Sequence, residues 1–264
     1  MIPAAYITEW RATAPWAADA QVEQDLVLSR TLIEIFAEGR LAAALAFRGG
    51  TALYKLYLKP AARYSEDIDL VQTEAGPIGP TIDLLRTVLE PWLGPAQSAR
   101  AGNSFRLTFR LVSEDRPPLS LRLKIEINTR EHFSELGLVQ VPFTVRNRWF
   151  TGDAQVNTFA IEELLGTKLR ALYQRRKGRD LFDLWYALAR ANPDGSLVIR
   201  CFERYLREGG DAVSRLDFEA NLDRKAGDVD FRKDVVPLLR AGIEWDVEEA
   251  LQTVRGSLIG LLKE

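Results

Sequence analysis

The sequence predicts an α+β protein in which a helix and a mixed α/β unit are followed by an all-helical second half. Three observations carry that prediction. Residues 105–111 and 121–128 alternate apolar and polar side chains with the period of a strand. Arg48-Gly49-Gly50-Thr51 ends a short apolar run and opens a helical pattern. Beyond Asn157 the periodicity is helical to the end of the chain. The expected division is a core with its N-terminal helix over residues 1–153 and a helical domain over 154–264.

Taken in order, residues 19–38 form an amphipathic helix, with Val22, Leu26, Ile33 and Phe36 near one stripe and Gly39 placed as its C-terminal cap. Residues 45–47 are a short buried strand, and a helix follows over about 52–58. Residues 67–71 are a strand. The Gly- and Pro-rich stretch 74–80 reads as a loop, and Thr81 is placed to cap a helix carrying Ile82, Leu85, Leu89 and Trp92. Asp115-Arg116-Pro117-Pro118 is a turn signal between the two alternating strands, which predicts a hairpin.

Composition narrows the function classes. With 264 residues, 47% hydrophobic and 27% charged, the chain suits one large or two modest globular domains. The single cysteine, Cys201, excludes an internal disulfide framework and fits a reducing cytosol, so a cytoplasmic location is expected. No N-terminal segment resembles a signal peptide and no apolar run is long enough to span a bilayer, so no membrane partner is expected. A net charge of −2 gives no global sign of nucleic-acid binding. One histidine, His132, argues against histidine-based triads and histidine-rich zinc sites.

Asp67 and Asp69 are the most informative residues. In a strand, positions i and i+2 face the same way, so both carboxylates project together while Ile68 and Leu70 turn to the other side. Like charges that close repel unless a cation lies between them. Mg²⁺ suits such a pair, being held by one or two carboxylates plus substrate phosphates. The bland alternative is an ordinary solvated strand end.

Gly49 and Gly50 let a phosphate approach the backbone, and the helix start behind them favours an anion. Thr51 can cap that helix, and Lys55, one turn on, could reach a triphosphate. An ordinary capped turn is the alternative, and the spacing is not that of a P-loop. Glu126 shares a polar strand face with Arg122, Lys124 and Asn128, where it could border a metal site as a third carboxylate or form cross-strand ion pairs. Lys168 falls inside an apolar helical stripe of Ile161, Leu164, Leu165 and Leu172, so it either snorkels or points into a cleft. Residues 175–179 form a basic cluster, either a solvated loop or a phosphate contact. Asp180 reads as an N-cap with Asp183 in the first turn, yet Asp183 is also placed to meet Lys168 across the helix pair. Six tryptophans without regular spacing read as packing, and neither His132 nor Cys201 reads as catalytic.

Together, Gly49-Gly50-Thr51-Ala52-Leu53-Tyr54-Lys55, Arg63-Tyr64-Ser65-Glu66-Asp67-Ile68-Asp69-Leu70, Lys168 and Arg179-Asp180-Leu181-Phe182-Asp183-Leu184 resemble the AbiEii/AbiGii-type nucleotidyltransferase toxins of bacterial abortive-infection systems. The resemblance spans roughly residues 45–190. It implies a DNA polymerase β-like nucleotidyltransferase core with a helical C-terminal domain. It also implies Mg²⁺ (or Mn²⁺), a nucleoside triphosphate substrate and a cognate antitoxin partner. By motif, Asp67 and Asp69 are the metal-binding pair, with Glu126 where the wider superfamily often has a third carboxylate. Gly49, Gly50, Thr51, Lys55 and Ser65 fall to the nucleotide, and Lys168, Asp180 and Asp183 join Asp67 and Asp69 as catalytic residues. Some relatives add nucleotides to the 3′ end of tRNA, so the resemblance makes tRNA one candidate acceptor and leaves its use by this chain open. The competing expectations are transfer to protein or small-molecule hydroxyls, and a catalytically silent nucleotide-binding protein. An Asp-x-Asp glycosyltransferase is disfavoured because no long βαβ run precedes Asp67.

Overall fold

The computed structural model describes residues 2–102, 104–115 and 117–264. The chain forms two compact units, Met1–Phe133 with Leu138–Phe159, and Ser134–Gly137 with Ala160–Glu264.

In the first unit, α1 (Ala4–Trp10), α2 (Asp19–Ala37) and α3 (Gly39–Ala44) precede β1 (Leu45–Arg48). Next come α4 (Gly49–Ala52), which continues as a π-helical turn over Leu53–Tyr57, then β2 (Asp67–Gln72) and α5 (Gly79–Leu93). β3 (Gln97–Ala101), β4 (Ser104–Val112), β5 (Ser120–Asn128), β6 (Leu138–Arg146) and β7 (Thr151–Phe159) complete the unit. The strands form one mixed sheet in the order β3-β4-β5-β2-β1-β7-β6. β2 is interior, antiparallel to β1 and parallel to β5.

The core dictates the register of β2. Ile68 and Leu70 are buried together with Ile125 and Ile127 of β5 and Leu107 and Phe109 of β4. Each such side chain contributes roughly 1.5–3 kcal/mol when fully buried. A slip of one residue would exchange Ile68 and Leu70 for the two aspartates, so the same burial that stabilises the sheet keeps Asp67 and Asp69 on the polar face.

α2 packs on β5, β6 and β7. It is buried beyond the apolar stripe, since Glu23, Gln24, Asp25, Ser29 and Thr31 are also enclosed. Their polar atoms are satisfied. Glu23 accepts from the Glu114 N–H at 2.9 Å, Gln24 donates to the Arg122 carbonyl at 3.0 Å, and Ser29 and Thr31 donate to carbonyls one turn back.

Several sequence expectations shift. Gly39 does not cap α2 but opens α3, and the extended Glu38 before it accepts from the Leu41 N–H at 2.7 Å. The helix expected from residue 52 begins at Gly49. Thr81 is not a cap, because α5 begins at Gly79 with Pro80 in its first turn, where the fixed φ of proline suits a helix start. The β4–β5 hairpin forms, with Phe109 opposite Leu123. In its turn Arg116 lies outside the described residues, and Ser113 Oγ accepts from the Leu119 N–H at 2.9 Å. β7 runs through residue 153, and the helices begin at Ile161.

The second unit contains α6 (Ile161–Gln174), α7 (Gly178–Ala191), α8 (Gly195–Glu208), α9 (Arg215–Ala226), α10 (Val229–Lys233) and α11 (Val247–Ser257). Gly166 lets α6 cross α8 closely, since a Cβ there would lie 2.6 Å from Cys201 Cβ and 2.9 Å from the Val198 carbonyl. Lys225 of α9 donates to the carbonyls of Leu172 and Tyr173, satisfying the C-terminal end of α6, and burial lowers its ammonium to about 8. Among the described residues no helix is long and apolar enough to cross a membrane.

Gly178, at the start of α7, has no room for a side chain, because a Cβ would lie 1.9 Å from the Phe231 carbonyl oxygen. Gly178→Ala is therefore expected to lose about 2 kcal/mol by overpacking. Urea denaturation checks this, and an unchanged midpoint would contradict the close contact.

Candidate functional site

The polar face of β2 carries Asp67 and Asp69, both partly exposed between buried neighbours. In the parallel register with β5, Asp67 lies opposite Lys124 and Asp69 opposite Glu126. Lys124 Nζ donates to Asp67 Oδ2 at 2.9 Å and offsets one of the two negative charges.

The glycine turn and the acidic pair are built as one device. Gly49 has φ +83°, in the left-handed region that favours glycine. A Cβ at Gly49 would lie 2.3 Å from Asp69 Oδ2 and 3.0 Å from its Cγ. The Asp69 carboxylate thus packs where any other residue would place its side chain. Behind it, the buried Thr51 hydroxyl donates to the Asp67 carbonyl at 2.6 Å and lies 2.7 Å from Ser65 Oγ. Thr51 has one hydroxyl proton, so Ser65 donates to Thr51. Thr51 and Ser65 therefore tie α4 to the entry of β2.

Glu126 accepts from Ser104 Oγ at 2.9 Å and from Arg106 Nη2 at 2.9 Å. Burial opposes its charge, but these donors outweigh burial and hold its carboxyl below the usual value. Among the described residues no group of three or more His, Cys, Asp or Glu could hold a metal ion, so Asp67, Asp69 and Glu126 do not form one. Two hard carboxylates still fit a divalent ion such as Mg²⁺, whose remaining positions are commonly filled by phosphate oxygens and water.

Lys55 points to α2. Its Nζ donates to Asp25 Oδ1 at 2.7 Å and to Ser29 Oγ at 2.9 Å. Asp25 also accepts the indole N–H of Trp10 at 2.9 Å and of Trp16 at 3.1 Å. This network is not readable from spacing, because 30 positions separate Asp25 from Lys55 and nothing in either segment marks the pair.

In the helical unit, Lys168 neither snorkels nor faces solvent. It is buried on α6, with Nζ 3.0 Å from Asp180 Oδ1 and 3.1 Å from Asp183 Oδ2. The meeting of Asp183 with Lys168 across the helix pair is as the sequence predicts. The N-cap reading of Asp180 gives way, since Lys177 occupies that position and Asp180 lies inside the helix. Arg175 completes the cluster through Nε and Nη2, at 2.6 and 2.8 Å from the Asp180 oxygens. Burial opposes the Asp180 charge, but Lys168 and Arg175 outweigh it and hold the carboxyl well below the usual carboxylate range.

The basic loop is internally paired. Arg176 meets Asp228 at 2.6 Å, and Lys177 and Arg179 lie 3.5 and 3.9 Å from Asp234. His132 Nδ1 lies 2.8 Å from the Gln72 carbonyl oxygen. Cys201 is buried, and burial pushes its thiol up to about 12.

The family described as "Nucleotidyl transferase AbiEii toxin, Type IV TA system" matches residues 30–253. Three solved structures are similar in fold. JHP933 from Helicobacter pylori is 21% identical, with 89% of each chain covered and a TM-score of 0.57. A putative nucleotidyltransferase from H. pylori is 20% identical, covering 89% of this chain and 92% of that one, with a TM-score of 0.58. The nucleotidyltransferase toxin MenT4 from Mycobacterium tuberculosis is 17% identical, with 100% of each chain covered and a TM-score of 0.56. Among proteins with curated descriptions, none matches the chain.

The buried cluster on α6 and α7 makes a pH prediction. The folded-state value of Asp180 is depressed, so its stabilisation is complete above the ordinary Asp value of about 4 and is lost as pH falls through the folded-state value. Asp180→Asn is expected to cost about 3 kcal/mol at neutral pH, by leaving Lys168 under-compensated, and to flatten the loss of stability below about pH 4. Denaturation midpoints across pH check this, and an unchanged acid limb in the variant would contradict it.

Proposed function

This chain belongs to the AbiEii family of nucleotidyl transferase toxins from type IV toxin–antitoxin systems, and we propose that it transfers a nucleotide from a nucleoside triphosphate to an RNA hydroxyl, the 3′ end of tRNA, with a divalent metal ion. That it is a nucleotidyltransferase of the toxin class follows from the family; the metal, the triphosphate and the acceptor are the proposal. The observation that supports it most is the packing of Asp69 into the space left by Gly49, on the strand face that also carries Asp67.

Asp67 and Asp69 would hold Mg²⁺ together with oxygens of the triphosphate. When bound, such an ion lowers the pKa of an attacking hydroxyl and stabilises charge on the transferred phosphate. Gly49 is partly exposed and presents backbone without a side chain, which would let the polyphosphate come close, with the buried Gly50 packed behind it. Thr51 and Ser65 serve the nucleotide by fixing the backbone of Asp67. Lys55 supports the same turn from its far side through Asp25. Glu126, held by Arg106 and Ser104, would border the site and keep the polar face ordered.

The acceptor hydroxyl attacks the α-phosphate in line and pyrophosphate leaves. The contribution of the chain is positioning and electrostatics, with no covalent intermediate required. Lys168, Asp180 and Asp183 join the catalytic set by motif, with both aspartates orienting the Lys168 ammonium. The paired cations of residues 175–179 are not assigned to RNA. A protein antitoxin is the expected partner of a toxin in this family.

The test is incubation with each labelled nucleoside triphosphate, Mg²⁺ and cell extract, followed by separation of label into RNA, protein and small molecules. Label is expected on tRNA 3′ ends, and Asp67→Ala and Asp69→Ala are each expected to reduce it at least about a hundredfold without loss of fold. Undiminished transfer by either variant would refute the acidic-pair assignment. Label confined to protein or small molecules would refute the RNA acceptor.

A further inference from the structure

The first unit contains a concavity beside the glycine turn. A cavity of about 410 Å³ opens beside α1, α2 and the π turn after α4, within the range that takes small organic ligands. Its lining includes neither Gly49 and Gly50 nor Asp67 and Asp69. Thr51 and Ser65 line its inner wall, so it lies behind the glycine turn.

The walls have two characters. Trp10, Trp16, Tyr54 and Phe143 supply aromatic surface, and all four are otherwise buried. Three cations, Lys55, Lys59 and Arg63, face one acid, Asp25. That acid is already satisfied by Lys55 and by both indole N–H groups. Arg63 is buried against the Tyr54 ring, 5.1 Å from its centroid. Lys59 is exposed at the mouth and makes no ion pair among the described residues, and its ammonium lies 5.9 Å from the Phe143 ring centroid. Partial desolvation by the cavity rim and the nearby Lys55 charge lower the Lys59 ammonium, so an anion arriving there would relieve an existing repulsion.

We propose that this cavity binds a small anion with a flat aromatic body, of the nucleoside monophosphate class, its ring among Trp10, Trp16 and Phe143 and its anionic group against Lys59. Aromatic walls stack rings with little sequence or ring preference, and a lysine at the mouth supplies a point charge for phosphate. Such a ligand would be bound without a metal, because Asp25, the one acid in the lining among the described residues, is engaged.

Calorimetric titration of the whole chain with the four nucleoside 5′-monophosphates, in the presence of a metal chelator, tests this. At least one is expected to bind saturably. Lys59→Ala is expected to weaken it at least tenfold and Lys59→Arg to retain it, while Asp67→Ala leaves it within twofold. Phe143→Ala, checked for folding by circular dichroism, should also weaken it. Saturable binding by none of the four, equal affinity in Lys59→Ala, or loss of binding in Asp67→Ala would overturn the proposal. Because no metal and no transfer enter the measurement, it can fail or succeed independently of the reaction assigned to Asp67 and Asp69.

Discussion

Gly49 has no room for a side chain, because the Asp69 carboxylate occupies the position its Cβ would need to reach. Most of the candidate site depends on that contact. It brings a backbone without side chains beside a carboxylate, which is the juxtaposition a metal-bound polyphosphate requires. The surrounding structure holds the contact in place. Thr51 and Ser65 fasten the turn to the backbone of Asp67, Lys124 balances Asp67, and the buried Ile68 and Leu70 prevent β2 from slipping. The Asp25 network anchors the same helix through Lys55, with two tryptophan N–H groups completing the acceptor.

The helical unit carries a cluster of a different kind. One ammonium lies between two fully buried carboxylates, with an arginine on the far side of one of them. Such a cluster contributes little net stability compared with apolar packing, yet loss of one member is costly because it strands a buried charge. The two carboxylates hold the Lys168 ammonium from two sides, at 3.0 and 3.1 Å. The elbow between α6 and α7 is braced from outside, by Lys225 on the carbonyls of α6 and by the close approach of Gly178 to Phe231.

Much of this was legible because particular residues obey short-range rules. The alternation in β4 and β5 announced a hairpin, and the Asp-x-Asp spacing placed two acids on one face of β2. Other elements gave no such signal. β3 reads Gln97-Ser98-Ala99-Arg100-Ala101, an edge strand with no large apolar residue. β6 is also an edge strand and contains Pro142, which such a position tolerates. β7 begins with polar residues that remain largely exposed. The cation run at 175–179 leaves a solvated loop and a phosphate contact both open in the sequence, because two of its partners, Asp228 and Asp234, lie some fifty residues later. Nothing in the sequence around Asp25 singles it out, and only the tertiary arrangement shows three donors converging on it.

The most direct test of the central claim is Mn²⁺ binding followed by electron paramagnetic resonance, with a non-hydrolysable nucleoside triphosphate present. The account predicts that the free Mn²⁺ signal falls on adding the parent chain, and that Asp69→Asn, which keeps the shape beside Gly49 but removes the charge, weakens binding at least about tenfold. Equal Mn²⁺ affinity in parent and variant would contradict it.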